Sequence, residues 1–135
     1  MSFEFIEHTA DVRVRCRGAS YAELLESAAR ALYAVTLTER RSKTDISRHV
    51  AVTGADREDL LIRWLQELIY LLEVERFVAF RFEFHTVKPT EIRVGLGGYA
   101  CTAEERADEV KAATYHGMAI SEDDGGLVAD ILFDL

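Results

Sequence analysis

The chain has 135 residues, 49% of them hydrophobic and 30% charged, with one proline and a formal net charge of -8. This balance predicts one soluble domain spanning 1–135, able to bury roughly two-thirds of its unfolded surface without staples, and it is ordinary for a folded chain. No apolar run reaches the roughly 20 residues of a bilayer span, the acidic N-terminus predicts no signal peptide, and the negative charge disfavours strong direct binding to nucleic acid.

Alternation predicts strands over Ser2 to Glu7 and Val12 to Arg17. In the second, Val12, Val14 and Cys16 form one face and Arg13, Arg15 and Arg17 the other. The simpler reading of the arginine stripe is a solvated face that discourages edge pairing; a dedicated anion- or RNA-binding stripe is the alternative. Between the strands lie His8-Thr9-Ala10-Asp11, an imidazole, a hydroxyl and a carboxylate within four residues. A turn can aim such groups at one point, and sites are built on such segments more often than on strand interiors.

Gly18-Ala19 interrupts, and Ser20-Tyr21-Ala22-Glu23 has the pattern of a capping box. Leu24, Leu25, Ala28, Ala29, Leu32 and Val35 then recur at helical spacing, predicting a helix from Tyr21 to Leu37. Thr38 to Asp45 reads as a polar loop and Ile46 to Thr53 as a strand. Asp56 is placed to cap a second helix from Arg57 to Glu73, whose Leu60, Leu61, Trp64, Leu65, Leu68, Ile69 and Leu72 form a core stripe. Arg63 and Glu67 are spaced for an exposed ion pair.

Phe77 to Val87 and Glu91 to Tyr99 alternate on either side of Pro89-Thr90, which predicts a hairpin with Phe80, Phe82 and Phe84 on one face. Gly95, Gly97 and Gly98 lack the context of a phosphate loop and read as sites of a bulge or close packing. Cys101 to Asp108 reads as a loop, Val110 to Ile120 as a strand, Ser121 to Gly126 as a turn, and Leu127 to Phe133 as the last strand. Cys16 and Cys101 read as reduced thiols of a cytoplasmic protein. The order of elements predicts an α+β fold: a single mixed or mostly antiparallel sheet with two amphipathic helices on one face.

Three features could carry chemistry. Asp11, Asp134 and the terminal carboxylate of Leu135 would meet if the last strand paired near the first. Crowded carboxylates favour a bound cation, and all-oxygen ligation suits calcium or magnesium better than zinc. From spacing alone, a turn-capping Asp11 and a solvated C-terminus is the simpler reading. Lys111, Thr114, Tyr115 and His116 could do acid–base work, although ordinary strand residues explain them as well. No zinc-spaced cysteine pair, nucleophile elbow, Walker loop or H-E-x-x-H motif is present.

Taken together the residues resemble the archease family nearly end to end. The resemblance rests on His8-Thr9-Ala10-Asp11, on Asp59-Leu60-Leu61 with Trp64-Leu65 and Glu67-Leu68, on Glu109-Val110-Lys111-Ala112 with Thr114-Tyr115-His116, and on the ending Asp134-Leu135. Two places depart from the family pattern: Tyr99 to Asp108 lacks its Gly-Glu opening and histidine, and Leu127 stands where an aromatic is common. The resemblance implies a non-enzymatic accessory protein of the GTP-dependent RNA ligase of tRNA splicing and RNA repair. It implies promotion of ligase guanylylation and turnover. It further implies a divalent metal, calcium first with magnesium or manganese as alternatives, held by Asp11, Asp134 and Leu135. Lys111, Tyr115 and His116 would orient that tip. The competing readings are a general chaperone or modulator of RNA-modifying enzymes, and a small metal-dependent phosphoesterase.

Overall fold

The computed structural model describes residues 1–8, 11–114 and 117–135, with side chains for all of these except Glu7 and His8. The predicted elements from the first strand through the hairpin form, with shifted ends. Strand β1 spans Ser2–His8 and β2 Asp11–Gly18. Helix α1 spans Tyr21–Thr36; the Ser20 hydroxyl accepts from Glu23 N at 3.2 Å, while the return bond from the glutamate side chain is not made among the described residues. Strand β3 is Ile46–Thr53. Helix α2 runs over Arg57–Glu75, two residues beyond its expected end, and stops where Arg76 turns left-handed at φ 57°. Asp56 caps it by accepting from Asp59 N at 2.8 Å. Arg63 pairs with Asp59 at 2.9 Å, one turn back, and no pair with Glu67 is seen among the described residues.

The hairpin is β4, Phe77–Lys88, and β5, Glu91–Ala100. Register shifts in β4 fall between Ala79 and Arg81 and between Phe84 and Thr86, so the expected run of three phenylalanines is broken. Phe82 and Phe84 lie against Trp64, whereas the Phe80 ring stands beneath the Arg40 guanidinium. Gly98 shows why β5 needs glycine here: a Cβ would stand 1.9 Å from the Val78 carbonyl oxygen.

The expected strand over Val110 to Ile120 is instead two short ones, β6 at Ala112–Thr114 and β7 at Ile120–Asp123. Between them Gly117 takes φ +66°, which an unbroken strand cannot accommodate. The expected turn over Ser121 to Gly126 shrinks accordingly, because Ser121 to Asp123 are paired with β8, Gly126–Asp134.

The expected single sheet is two. One has the order β1-β2-β8-β6, with β7 also on β8; the other is β3-β5-β4; every ladder is antiparallel. The reason lies in α1. Its buried residues, Leu24, Leu25, Ser27, Ala28, Ala29, Ala31, Leu32, Tyr33, Val35 and Thr36, occupy roughly two-thirds of its circumference. A helix lying on one sheet and facing water would bury only a stripe. Here α1 packs on β1, β2 and β8, touches α2, and reaches β4, where the Tyr33 hydroxyl accepts from Ala79 N at 3.1 Å. Helix α2 packs on β3, β4 and β6. Cys16 and Cys101 are buried free thiols, and burial pushes the Cys16 thiol up to about 12.

The segment after β5 is held by Glu105. Its carboxylate accepts from Thr102 N at 2.9 Å and the Thr102 hydroxyl at 3.0 Å, and pairs with Arg41 at 2.9 Å. These bonds, the backbone donor first, hold its carboxyl below the usual range. Asp123 is lowered likewise, chiefly by Arg17. A carboxyl lowered by folding adds stability above its unfolded pKa and loses it as the pH falls through its folded pKa. Acidification is therefore expected to lower the thermal midpoint, with a shallower decline in Glu105→Gln. Parallel pH profiles for the two proteins would exclude this role for Glu105.

Candidate functional site

The two acidic ends of the sequence meet through sheet register. Strand β2 begins at Asp11, β8 ends at Asp134, and these two residues are direct cross-strand partners. Burial alternates along both strands, with Val12, Val14, Ile131 and Phe133 inside and Asp11, Arg13, Leu132 and Asp134 outside. Opposed residues of an antiparallel pair share a face, so both carboxylates stand on the outer face at the end of the sheet. Asp134 is exposed and Asp11 half-buried. On its other side Asp134 pairs with Ala112 of β6, and its carbonyl accepts from Lys111 N at 2.8 Å. The Leu135 side chain packs against the core, which fixes the last main-chain group beside this pair.

Neither carboxylate has an ion pair or hydrogen bond with a described side chain. Like charges set directly opposite repel, so the pair leaves negative charge gathered at the end of the sheet. Among the described residues no three His, Cys, Asp or Glu side chains converge on one point. The oxygens gathered here are two carboxylates and the main-chain group of Leu135, hard donors of the kind that calcium, magnesium or manganese takes. By its chemistry the set fits a divalent cation.

One row inward, Arg13, Leu132 and Thr114 share that face. The Thr114 hydroxyl is buried with no partner among the described residues. Sequence reading placed Thr114 in a motif without seeing that alternation through Ala113 sets it on the face of the acidic pair. Lys111 is exposed at the same end. Thr9, Ala10, Tyr115 and His116, and the side chain of His8, lie outside what is described.

The arginine stripe is otherwise committed. Arg15 donates to both Asp130 oxygens at 2.9 and 3.1 Å, and Arg17 pairs with Asp123. Strand β2 is interior, between β1 and β8, so the stripe does not guard an edge.

Comparison with known proteins decides the family. A family model described as the archease protein family (MTH1598/TM1083) matches residues 3–135. The chain belongs to the archease family. An archease of Archaeoglobus fulgidus is 35% identical over 139 residues, covering 100% of both chains. An archease of Methanosarcina mazei is 30% identical over 139 residues, covering 98% of this chain and 95% of the relative. Among solved structures, protein 1598 of Methanobacterium thermoautotrophicum superposes with a TM-score of 0.81 at 31% identity over 98% of each chain. An archease from Thermotoga maritima, described as a possible chaperone, gives a TM-score of 0.65 at 25% identity over 96% of this chain and 94% of that one. The archease assignment thus spans both sheets and both chain ends. No helix among the described residues is long and apolar enough to cross a membrane.

Proposed function

We propose that this archease is a non-enzymatic, metal-binding activator of a GTP-dependent RNA ligase, promoting ligase guanylylation and turnover in tRNA splicing and RNA repair in the cytoplasm. The observation that carries the reading is the register that sets Asp11 opposite Asp134 beside the terminus of Leu135. Those groups would hold a divalent cation, calcium first, which when bound neutralises the carboxylates. The residues of this chain do the rest. The sheet end presents the acidic pair to a partner, Leu135 anchors the terminus in the core, and Lys111 ties β8 by its backbone. An exposed acidic tip on a protein of charge -8 suits a partner whose own site is basic and metal-containing.

The test is guanylylation of a cognate ligase with GTP and metal, with and without this protein. Wild type is expected to stimulate; Asp11→Ala and a chain lacking Asp134 and Leu135 are expected to lose stimulation by about tenfold or more, as when a buried or paired charge is removed from an interface. Stimulation retained by both variants would discard the metal tip.

A chaperone-like reading has one observation in its favour: Phe5 and Ile6 of β1 are exposed, with Met1 just before them, as are Tyr70 and Val74 on α2. It predicts binding to several unrelated clients, insensitive to Asp11→Ala.

A further inference from the structure

Arg40 follows α1 in the segment 37–45, which the sequence marks only as a polar loop. Its guanidinium carbon lies 5.5 Å from the Tyr33 ring centre and 4.9 Å from that of Phe80. One Nη2–H donates to the Phe80 carbonyl at 3.2 Å. Its Nε is buried without an acceptor, and no carboxylate pairs with it among the described residues. Burial and the nearby Arg30 guanidinium both weaken its hold on its proton. A cation taken from water without a counter-ion is costly, and two ring faces offset only part of that cost.

The neighbouring Arg41 shows the contrast. It stacks on Tyr99 at 4.5 Å, donates to Ala100 O and pairs with Glu105, and its backbone N–H donates to the Tyr99 hydroxyl at 2.9 Å. These contacts pin the loop and so fix where Arg40 stands.

Arg40 lines a cleft of about 320 Å³, together with Phe3, Arg30, Tyr33, Ala34 and Leu37. Arg30 is oriented there by Glu26, at 2.7 Å. Glu39 also borders the cleft but is exposed, and the carboxylate that does act on Arg40, Glu26, has the smallest of the effects on it and is itself paired with Arg30. The cleft therefore offers a fixed guanidinium with no ion-pair partner among the described residues, beside an apolar wall of Phe3, Ala34 and Leu37. A planar guanidinium fork matches the geometry of a carboxylate or phosphate oxyanion.

We propose that this cleft binds a small organic oxyanion, a phosphate ester or carboxylate on an apolar body, with Arg40 taking the head group and Phe3 and Leu37 the body. The site lies on the α1 side of the fold, apart from the acidic tip, and does not depend on the ligase reading.

The test is an NMR-monitored titration of the full chain with phenyl phosphate, benzoate, inorganic phosphate and phenol. Two variants accompany it: Arg40→Met, which removes the charge, and Ala34→Glu, which places a carboxylate in the cleft from an exposed helix position. Phenyl phosphate or benzoate is expected to shift resonances of residues around the cleft, with phenol and both variants weaker by about tenfold. The tighter of the two acids names the head group, and binding of inorganic phosphate at the same resonances assigns it to phosphate. Equal binding of phenol, binding unchanged in folded Arg40→Met and Ala34→Glu, or no binding of either acid by wild type would overturn the proposal.

Discussion

Replacing Trp64 with alanine is expected to cost about 3–5 kcal/mol of folding stability, the range for deleting a large buried aromatic. Trp64 is fully buried on α2, its ring packs against Phe82 and Phe84 of β4 at about 6 Å, and its Nε1–H donates to the Leu25 carbonyl of α1 at 2.9 Å. One side chain thus ties the helix pair to the three-stranded sheet. Against a total stability of roughly 5–15 kcal/mol for such a domain, the loss lowers the thermal midpoint by roughly 10–15 °C or prevents folding at growth temperature. Trp64→Phe keeps most of the volume and loses the N–H, so about 1–2 kcal/mol is expected. Urea midpoints for the three proteins test the order. A penalty below about 1 kcal/mol for Trp64→Ala would mean that the two sheets are held together elsewhere.

The helices, the hairpin and the first two strands were legible because their signals are local. Period-2 alternation is complete in Val12–Arg17, and α2 carries an N-cap, an acidic first turn and a continuous apolar stripe. What was not legible depends on partners distant in sequence. Nothing in Val12, Val14 or Cys16 says whether they face one sheet's helix or share it with a second sheet. That follows from the circumference of α1, whose Ala28, Ala29 and Ala31 read equally well as a close-packed stripe on a single sheet. The breaks in β4 and near Gly117 escaped for a related reason: a bulge leaves the alternation of Arg81, Glu83 and His85 intact, and Gly117 looks like any other glycine until its φ is known. For the tip, sequence supplied the residues and the family pattern, whereas the direct opposition of Asp11 and Asp134 is a fact of β2–β8 register. Arg40 was hidden among Arg40, Arg41 and Lys43, where only the fold separates a cation with no ion-pair partner among the described residues from one bound to Glu105.

Asp11→Asn is expected to separate the stability of the tip from its function, in opposite directions. Without metal, wild type holds two carboxylates opposite each other with no cationic partner among the described residues. Removing one charge relieves a repulsion worth up to about 1 kcal/mol for a directly opposed pair, and less at this exposure. In a chelator the variant is therefore expected to be as stable as wild type or a few tenths of a kcal/mol more so. Excess calcium inverts the order. A ligand that binds only the folded state adds about 2.7 kcal/mol when present at 100 times its dissociation constant, and Asp11→Asn forfeits most of that gain along with ligase stimulation. The measurement is the thermal midpoint of both proteins in chelator and in calcium, repeated with magnesium and manganese. A wild-type midpoint that none of the three ions moves would remove the metal site, and equal shifts in both proteins would place the ion away from Asp11. A crossing of the two curves would mean that the sheet tolerates a local repulsion at its acidic end because the bound ion requires both charges there.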